Sequence, residues 1–336
     1  MTTIKDVAKL AGVSKSTVSR VLNNGYVDEK TKEKVKAAID ELQYIPNSFA
    51  RRIHTGKSDM IALIIPDSTN YFYSEIFQVV SRVAWESQYI VILCDTNRSI
   101  TNEYEYVKRL YSYNIDGILY FAQEKTAESS DFFYEYAKKV PIVFMNKAFS
   151  ENPDISYVSI DGGRSIKQSV EMLSGKGKKN IAFIDLPRRN NVDADRFLSY
   201  KEGLESCGLI YDEERVLVDY EGDVGDLIEE GFNAARVLLQ RSSGIDAIIT
   251  AADQIAVGVI RYLKSENIII PEQVSVIGFD DIDLCTVVEP KLTTIRQPIE
   301  EIAVNATNIL ISKINKLAVE NDRMLFPGEI IERESS

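Results

Sequence analysis

The sequence predicts a small all-α head joined to an α/β body built from two doubly wound parallel-sheet subdomains. Three observations predict it. Residues 2–24 carry two short apolar periodicities of helical spacing, broken at Gly12. From Met60 onward, apolar runs of strand length alternate with amphipathic stretches, in two successive series. Charge is also divided. Residues 1–58 hold eleven Lys or Arg against six Asp or Glu, a net of +5, inside a chain of 336 residues whose net charge is −12, so the remainder carries −17. A basic head on an acidic body repels DNA everywhere except at the head.

In the head, Ile4, Val7, Ala8 and Ala11 repeat at i, i+3, i+4, i+7, and Val18, Val21 and Leu22 resume the pattern. Gly12 permits a left-handed helix end, and Ser14 offers a hydroxyl as N-cap of the second helix. Two short helices across such a turn make a helix-turn-helix. The outer face of the second helix presents Lys15, Ser16, Thr17, Ser19, Arg20 and Asn23, donors suited to phosphates and base edges, with no acid among them. Arg20 is placed for a bidentate contact to guanine, with Lys15 and Ser16 at neighbouring positions. Asp28 caps a third helix, Glu29 to Gln43, whose Val35, Ala38, Ile39 and Leu42 close a common core. The head is expected to span 1–45. Pro46 stops the third helix, and residues 46–58 form a basic hinge or linker.

The head, the Tyr44-Ile45-Pro46-Asn47 junction and the Ala50-Arg51 pair resemble the LacI/GalR family of bacterial transcription repressors. In that family the segment after Pro-Asn is a hinge helix. Its two copies in the dimer enter the minor groove and wedge a leucine between base steps. The resemblance implies DNA contacts at Asn47, Ala50 and Arg51, with Ile53 at the wedge position. It also implies a homodimer, or a tetramer built from one.

The body's first series, expected over 59–161, places strands at 60–66, 89–95, 117–121 and 141–146 and helices at 74–86, 103–111 and 131–139. The second, over 162–291, places strands at 180–185, 215–219, 247–250 and 274–281 and helices at 164–173, 194–207, 227–240 and 254–266. A last helix, 299–317, and strands at 324–326 and 330–332 complete the sheets. Residues 292–322 are expected to finish the first subdomain and 323–336 the second. The resemblance implies the same architecture: an N-terminal all-α helix-turn-helix head plus an α/β periplasmic-binding-protein-like body.

Ligands of doubly wound sheets sit beyond the carboxyl ends of the strands. Those ends carry Asp67, Tyr71 and Phe72, then Asp95, Asn146, Asp253 and Asp280. Carboxylates, amides and rings together suit a polyhydroxylated ligand, although an aspartate after a strand also serves as a helix cap. The resemblance assigns effector contacts to Asp280 and Arg196. It also shows departures: the family commonly has proline where Tyr71 stands, Asp-Arg where Asn146-Lys147 stands, and Asn-Asp where Ala252-Asp253 stands.

Other classes fit less well. The single histidine, His54, lies in the hinge, so no His-based triad, HExxH zinc site or His general base is available to the body. There is no P-loop, and Gly162-Gly163 lacks the other glycines of a dinucleotide fingerprint. Asp280 and Asp281 are adjacent on a strand and point to opposite faces, so they do not form the acid pair of a glycosidase. Cys94, Cys207 and Cys285 show no CxxC and fit a reducing cytoplasm. No apolar run is long enough for a membrane span, and no signal peptide is apparent. The basic head and the absent signal both oppose a sugar-binding transport protein. The expected protein is therefore not an enzyme and needs no metal or cofactor. It is a cytoplasmic repressor whose partners are a double-stranded DNA operator and a small effector, a sugar or sugar derivative. The alternative is control by a phosphoprotein corepressor.

Overall fold

The computed structural model describes residues 2–22, 25–44, 57–122, 126–147, 150–185, 194–218 and 226–336. The chain forms two compact units, Met1–Ser58 and Asp59–Ser336.

The first unit contains α1 (Ile4–Ala11), α2 (Lys15–Leu22) and α3 (Glu29–Glu41). Thr3 and Asp6 close a capping box at the start of α1, the Thr3 N–H reaching Asp6 Oδ2 at 2.9 Å. Gly12 ends the helix at φ 66°, a left-handed conformation in which a side chain would be strained. Ser14 then caps α2, accepting from the Thr17 N–H at 3.1 Å, and Asp28 caps α3, accepting from Thr31 N–H at 3.0 Å. Val7, Ala8, Ala11, Val18, Val21, Val35 and Ala38 form the core. It is small because all of these side chains are Val or Ala, which lets short helices approach closely.

The second unit holds two six-stranded sheets. Its first half comprises β1 (Met60–Ile65), α4 (Tyr71–Glu86), β2 (Ile90–Asp95), α5 (Ile100–Ser112), β3 (Gly117–Tyr120), α6 (Ala127–Ala137), β4 (Ile142–Phe144) and β5 (Ser156–Asp161). Its second half comprises α7 (Gly162–Gly175), β6 (Ile181–Ile184), α8 (Ala194–Ser206), β7 (Val216–Leu217), α9 (Leu227–Arg241), β8 (Ala247–Thr250), α10 (Asp253–Ser265), β9 (Ser275–Asp280), α11 (Leu284–Val287) and β10 (Thr293–Arg296). Then follow α12 (Ile299–Ile314), β11 (Arg323–Pro327) and β12 (Glu329–Ile331). The sheet orders are β11-β5-β4-β3-β1-β2 and β12-β10-β9-β8-β6-β7. Among the described residues, all pairings are parallel except that of β12 with β10. Helices α9 and α10 touch backbone to backbone, because a Cβ on Gly231 would lie 2.1 Å from the Ile255 carbonyl oxygen.

Two expectations are corrected. Residues 292–322 do not all complete the first subdomain, and 323–336 do not all complete the second. Strand β10 pairs with β9 in the second sheet, while α12 packs on α4 and strands of the first. Strand β11 then joins β5 in the first sheet and β12 returns to the second. The chain thus passes between halves at Asp161-Gly162, at Gln297-Pro298 and at Gly328, where a Cβ would meet Ser165 Oγ at 2.7 Å. Each crossing puts neighbours in sequence on different sheets, which a linear pattern cannot reveal. The second correction concerns β2. Its apolar run predicts burial on both faces, yet it is an edge strand with Ile90 58% and Leu93 38% exposed.

Candidate functional site

Helix α2 turns Val18 and Val21 into the head's core, which leaves Lys15, Ser16 and Arg20 exposed and Thr17 and Ser19 partly so. The Ser14 hydroxyl lies 2.7 Å from Ser16 Oγ and 2.9 Å from Thr17 Oγ1, so the cap also orders the first turn. The nearby acids are committed to capping: hydrogen bonds from Thr3 hold the Asp6 carboxyl below its ordinary range, and those from Thr31 do the same for Asp28. Asn23, Asn47, Ala50, Arg51 and Ile53 lie outside the described residues.

In the body, Asp67 and Asp95 tie neighbouring loops together. Asp67 accepts from the Thr69 N–H at 2.8 Å and from Arg98 Nη2 at 3.1 Å. Asp95 accepts from the Ser68 and Asn97 N–H groups at 2.9 and 2.7 Å. Burial pushes the Asp95 carboxyl up, but these bonds and Arg98 outweigh it and hold the group low. Tyr71 stands exposed on the first turn of α4. Phe72 is turned inward, edge-on to Phe121 with ring centroids 5.9 Å apart. Tyr73 completes this aromatic corner, 5.2 Å from Phe121. Asn146 donates to the Ala122 carbonyl at 2.7 Å, and its own buried Oδ1 has no partner among the described residues.

In the second half, the Arg196 guanidinium lies 3.7 Å from the Phe279 ring centroid, and its Nη1 donates to the Ala251 carbonyl at 3.0 Å. Gly162 makes room for it at the first crossing, where a Cβ would come within 3.3 Å of Arg196 Nε. Asp280 ends β9 at φ 124° and accepts from Gln297 Nε2 at 2.6 Å, at the second crossing. Lys147, next to Asn146, forms an ion pair with Asp195, next to Arg196, and so bridges the two halves. Glu75 of α4 feels the second half as well: burial first, and then Asp283 and Asp281, push its carboxyl up.

Asp253 departs from expectation. It is fully buried, with Oδ2 accepting from the Ile282 N–H at 3.0 Å, Oδ1 from Thr294 Oγ1 at 2.5 Å, and a further bond from the Cys285 thiol. Gly278 leaves the space it occupies, since a Cβ there would lie 2.1 Å from Asp253 Oδ1. Burial pushes this carboxyl up against the pull of its donors, and burial followed by Asp253's charge pushes the Cys285 thiol up. Asp253 thus braces the loop after β9 and does not open toward a ligand.

The structure therefore brings Arg196 and Asp280 to the crossings, with Asn146 beside the bridge between halves, and withdraws Phe72 and Asp253 into the interior. Sequence patterns missed Asp195 and Gln297. Gln297 follows β10, whose Thr-Thr-Ile-Arg lacks a continuous apolar run, and only its position before Pro298 hinted at a strand end. No group of three His, Cys, Asp or Glu among the described residues is arranged to hold a metal ion. No helix among them is long and apolar enough to cross a membrane.

Residues 3–47 match the model of bacterial regulatory proteins of the lacI family, and residues 170–336 match a periplasmic binding protein-like domain. The ribose operon repressor of Escherichia coli (strain K12) is 35% identical, the alignment covering 100% of both chains. The HTH-type transcriptional regulator RegA of Clostridium saccharobutylicum is 34% identical over 100% of this chain and 99% of its own. The chain belongs to the lacI family of bacterial regulatory proteins. Among solved structures, the complex of the transcriptional regulator CelR with cellobiose matches with a TM-score of 0.74 and 29% identity over 100% of both chains. Like its relatives, this lacI-family chain is a DNA-binding transcriptional regulator and not an enzyme.

Proposed function

We propose that the protein is a homodimeric repressor that binds an operator through α2 and the hinge residues, and whose operator affinity is set by a carbohydrate held between the two halves of the body. The observation that carries this reading is that Arg196, over the Phe279 ring, lies beside Gly162 at the first crossing, and that Asp280 is bonded to Gln297 at the second. A guanidinium fork and a carboxylate can share vicinal hydroxyls, while Asn146 Oδ1 offers an acceptor from the other half. A sugar spanning these groups favours one arrangement of the halves over another. Any such preference must, by linkage, alter affinity for an operator that selects between the same arrangements.

The exposed edge of β2 supports the dimer. Ile90 and Leu93, with Trp85 74% exposed nearby in sequence, present apolar surface and unpaired strand edge that a second copy can cover.

The relatives direct the choice of probes. D-ribose and cellobiose are titrated into the full-length protein, and affinity for DNA from upstream of its own gene is followed by fluorescence anisotropy. The expected result is saturable binding of one sugar with a change in operator affinity. Asp280→Ala is expected to keep operator binding and lose the sugar response. No response to these or related sugars would transfer control to a phosphoprotein corepressor.

A further inference from the structure

The backbone at the end of β9 takes an unusual course. Asp280 and Asp281 both have positive φ, 124° and 63°, a region that side-chain-bearing residues seldom occupy and that persists only where the surroundings over-determine it. The restraint is visible. Asp281 Oδ1 accepts from Arg333 Nη2 at 2.6 Å and Oδ2 from Arg296 Nε at 2.7 Å, with the Asp281 side chain only 7% exposed. Arg333 is nearly as enclosed, at 14%. Its other terminal nitrogen donates to the Leu292 carbonyl at 2.8 Å, and its backbone N–H to Thr293 Oγ1 at 2.8 Å. Two residues on, the buried Ser335 hydroxyl accepts from the Thr293 N–H and donates to the Val276 carbonyl, at 2.8 and 2.6 Å. The last residues are therefore stitched across β9 and β10, and Arg333 is the point at which that stitching reaches the strained pair.

We infer that Arg333, at the C-terminal end of the chain, is a positioning residue for the ligand site: by clamping Asp281 it holds the Asp280 carboxylate toward Gln297 at the second crossing. The inference rests on the reading of Asp280 as a sugar contact, and it adds a residue that touches no ligand. Consecutive carboxylates on such a backbone are not independent. Asp280 and Asp281 share a peptide unit, so fixing Asp281 restrains the backbone from which the Asp280 carboxylate projects. A planar fork suits this task because Arg333 holds Asp281 and the Leu292 carbonyl at once, whereas a lysine ammonium concentrates its charge at one point. Arg296 contributes less, because its side chain is 50% exposed and also faces Glu329 at 3.6 Å.

The test uses the full-length protein with Arg333→Met and Arg333→Lys. Arg333→Met is expected to weaken binding of whichever of D-ribose or cellobiose the wild type takes by about tenfold or more, as displacement of a positioned polar group does. Operator affinity without sugar should stay within about twofold. Arg333→Lys should fall between. A second readout needs no sugar. The side-chain amide of Gln297 donates to Asp280, so its NMR signal should move in Arg333→Met toward the position it has in Asp280→Asn. Wild-type sugar affinity and an unmoved Gln297 signal in either folded variant would overturn the inference, even if the melting temperature fell. If neither sugar binds the wild type, the reading of the site fails, and the Gln297 signal alone then decides the role of Arg333. Should Arg333→Met fail to fold, Arg333→Lys carries both readouts.

Discussion

On the head, α2 keeps Lys15, Ser16 and Arg20 in solvent, and Asp6 and Asp28 are spent on helix caps. In the body, Arg196, Asp253 and Asp280 are at most 9% exposed, and each has partners within the protein. The contrast fits the recognition proposed for each unit. A duplex is met by an open, cationic face whose groups await phosphates and base edges. A small hydroxylated ligand requires groups whose orientation is set before it arrives, and that setting is done by buried hydrogen bonds. Mutations in the head should therefore change recognition with little loss of stability. In the body, stability and recognition should separate residue by residue.

The largest effect is expected at Asp253. Asp253→Ala strands the Ile282 N–H, the Thr294 hydroxyl and the Cys285 thiol in a dry interior, and should destabilise the body by roughly 3 kcal/mol or more in thermal or urea unfolding. A loss below about 1 kcal/mol would show that the brace is dispensable. The pH dependence has a definite sign. Because burial raises this carboxyl, the folded state holds its proton more tightly than the unfolded chain. The stabilisation is complete below the ordinary carboxylate range, about 4, and declines as pH rises through the raised value. The gap between wild type and variant should narrow accordingly.

Arg20→Ala comes next. It should cost roughly 1–3 kcal/mol on the cognate operator, little on nonspecific DNA, and almost nothing in head stability, because Arg20 lies outside the small core. Equal loss on both DNAs would make Arg20 a phosphate contact and blur the distinction between head and body.

The smallest effect is expected at Lys147. Its ion pair with Asp195 spans the halves but is partly solvated, at 29% and 51% exposure, so Lys147→Ala should change stability by less than about 1 kcal/mol. Any larger consequence should appear in the sugar response, because the pair sits beside Asn146 and Arg196. A melting temperature that drops sharply would mean that the bridge is structural.

The head was largely legible because its signals are local: an apolar stripe, Gly12 at a helix end, and Ser14 and Asp28 as caps each act within four residues. The central strands were legible for a similar reason. MIALII, AIIT and SVIGFD are buried nearly throughout, and such runs read as strands covered on both faces. Strands β5 and β10 were not legible. Ser-Tyr-Val-Ser-Ile-Asp and Thr-Thr-Ile-Arg interrupt the apolar pattern, and each lies where the chain is about to change sheets. For the candidate site, Asp280 was named as a strand end and, with Arg196, through family resemblance, while Gln297 and Arg333 gave no periodic or motif signal.

The sequence by itself determined that a basic helix-turn-helix precedes an acidic α/β body, since propensity, capping and charge are properties of neighbouring residues. Only the tertiary structure decided how each of the strand-end aspartates is held. Asp253 and Asp280 both lie at the ends of apolar strands, yet one is enclosed by donors from Ile282, Thr294 and Cys285, and the other sits on a backbone restrained through Asp281 and accepts from Gln297. The difference comes from residues 15 to 52 positions away along the chain, Arg296, Arg333 and Thr294 among them, and so it is written in contacts between distant segments.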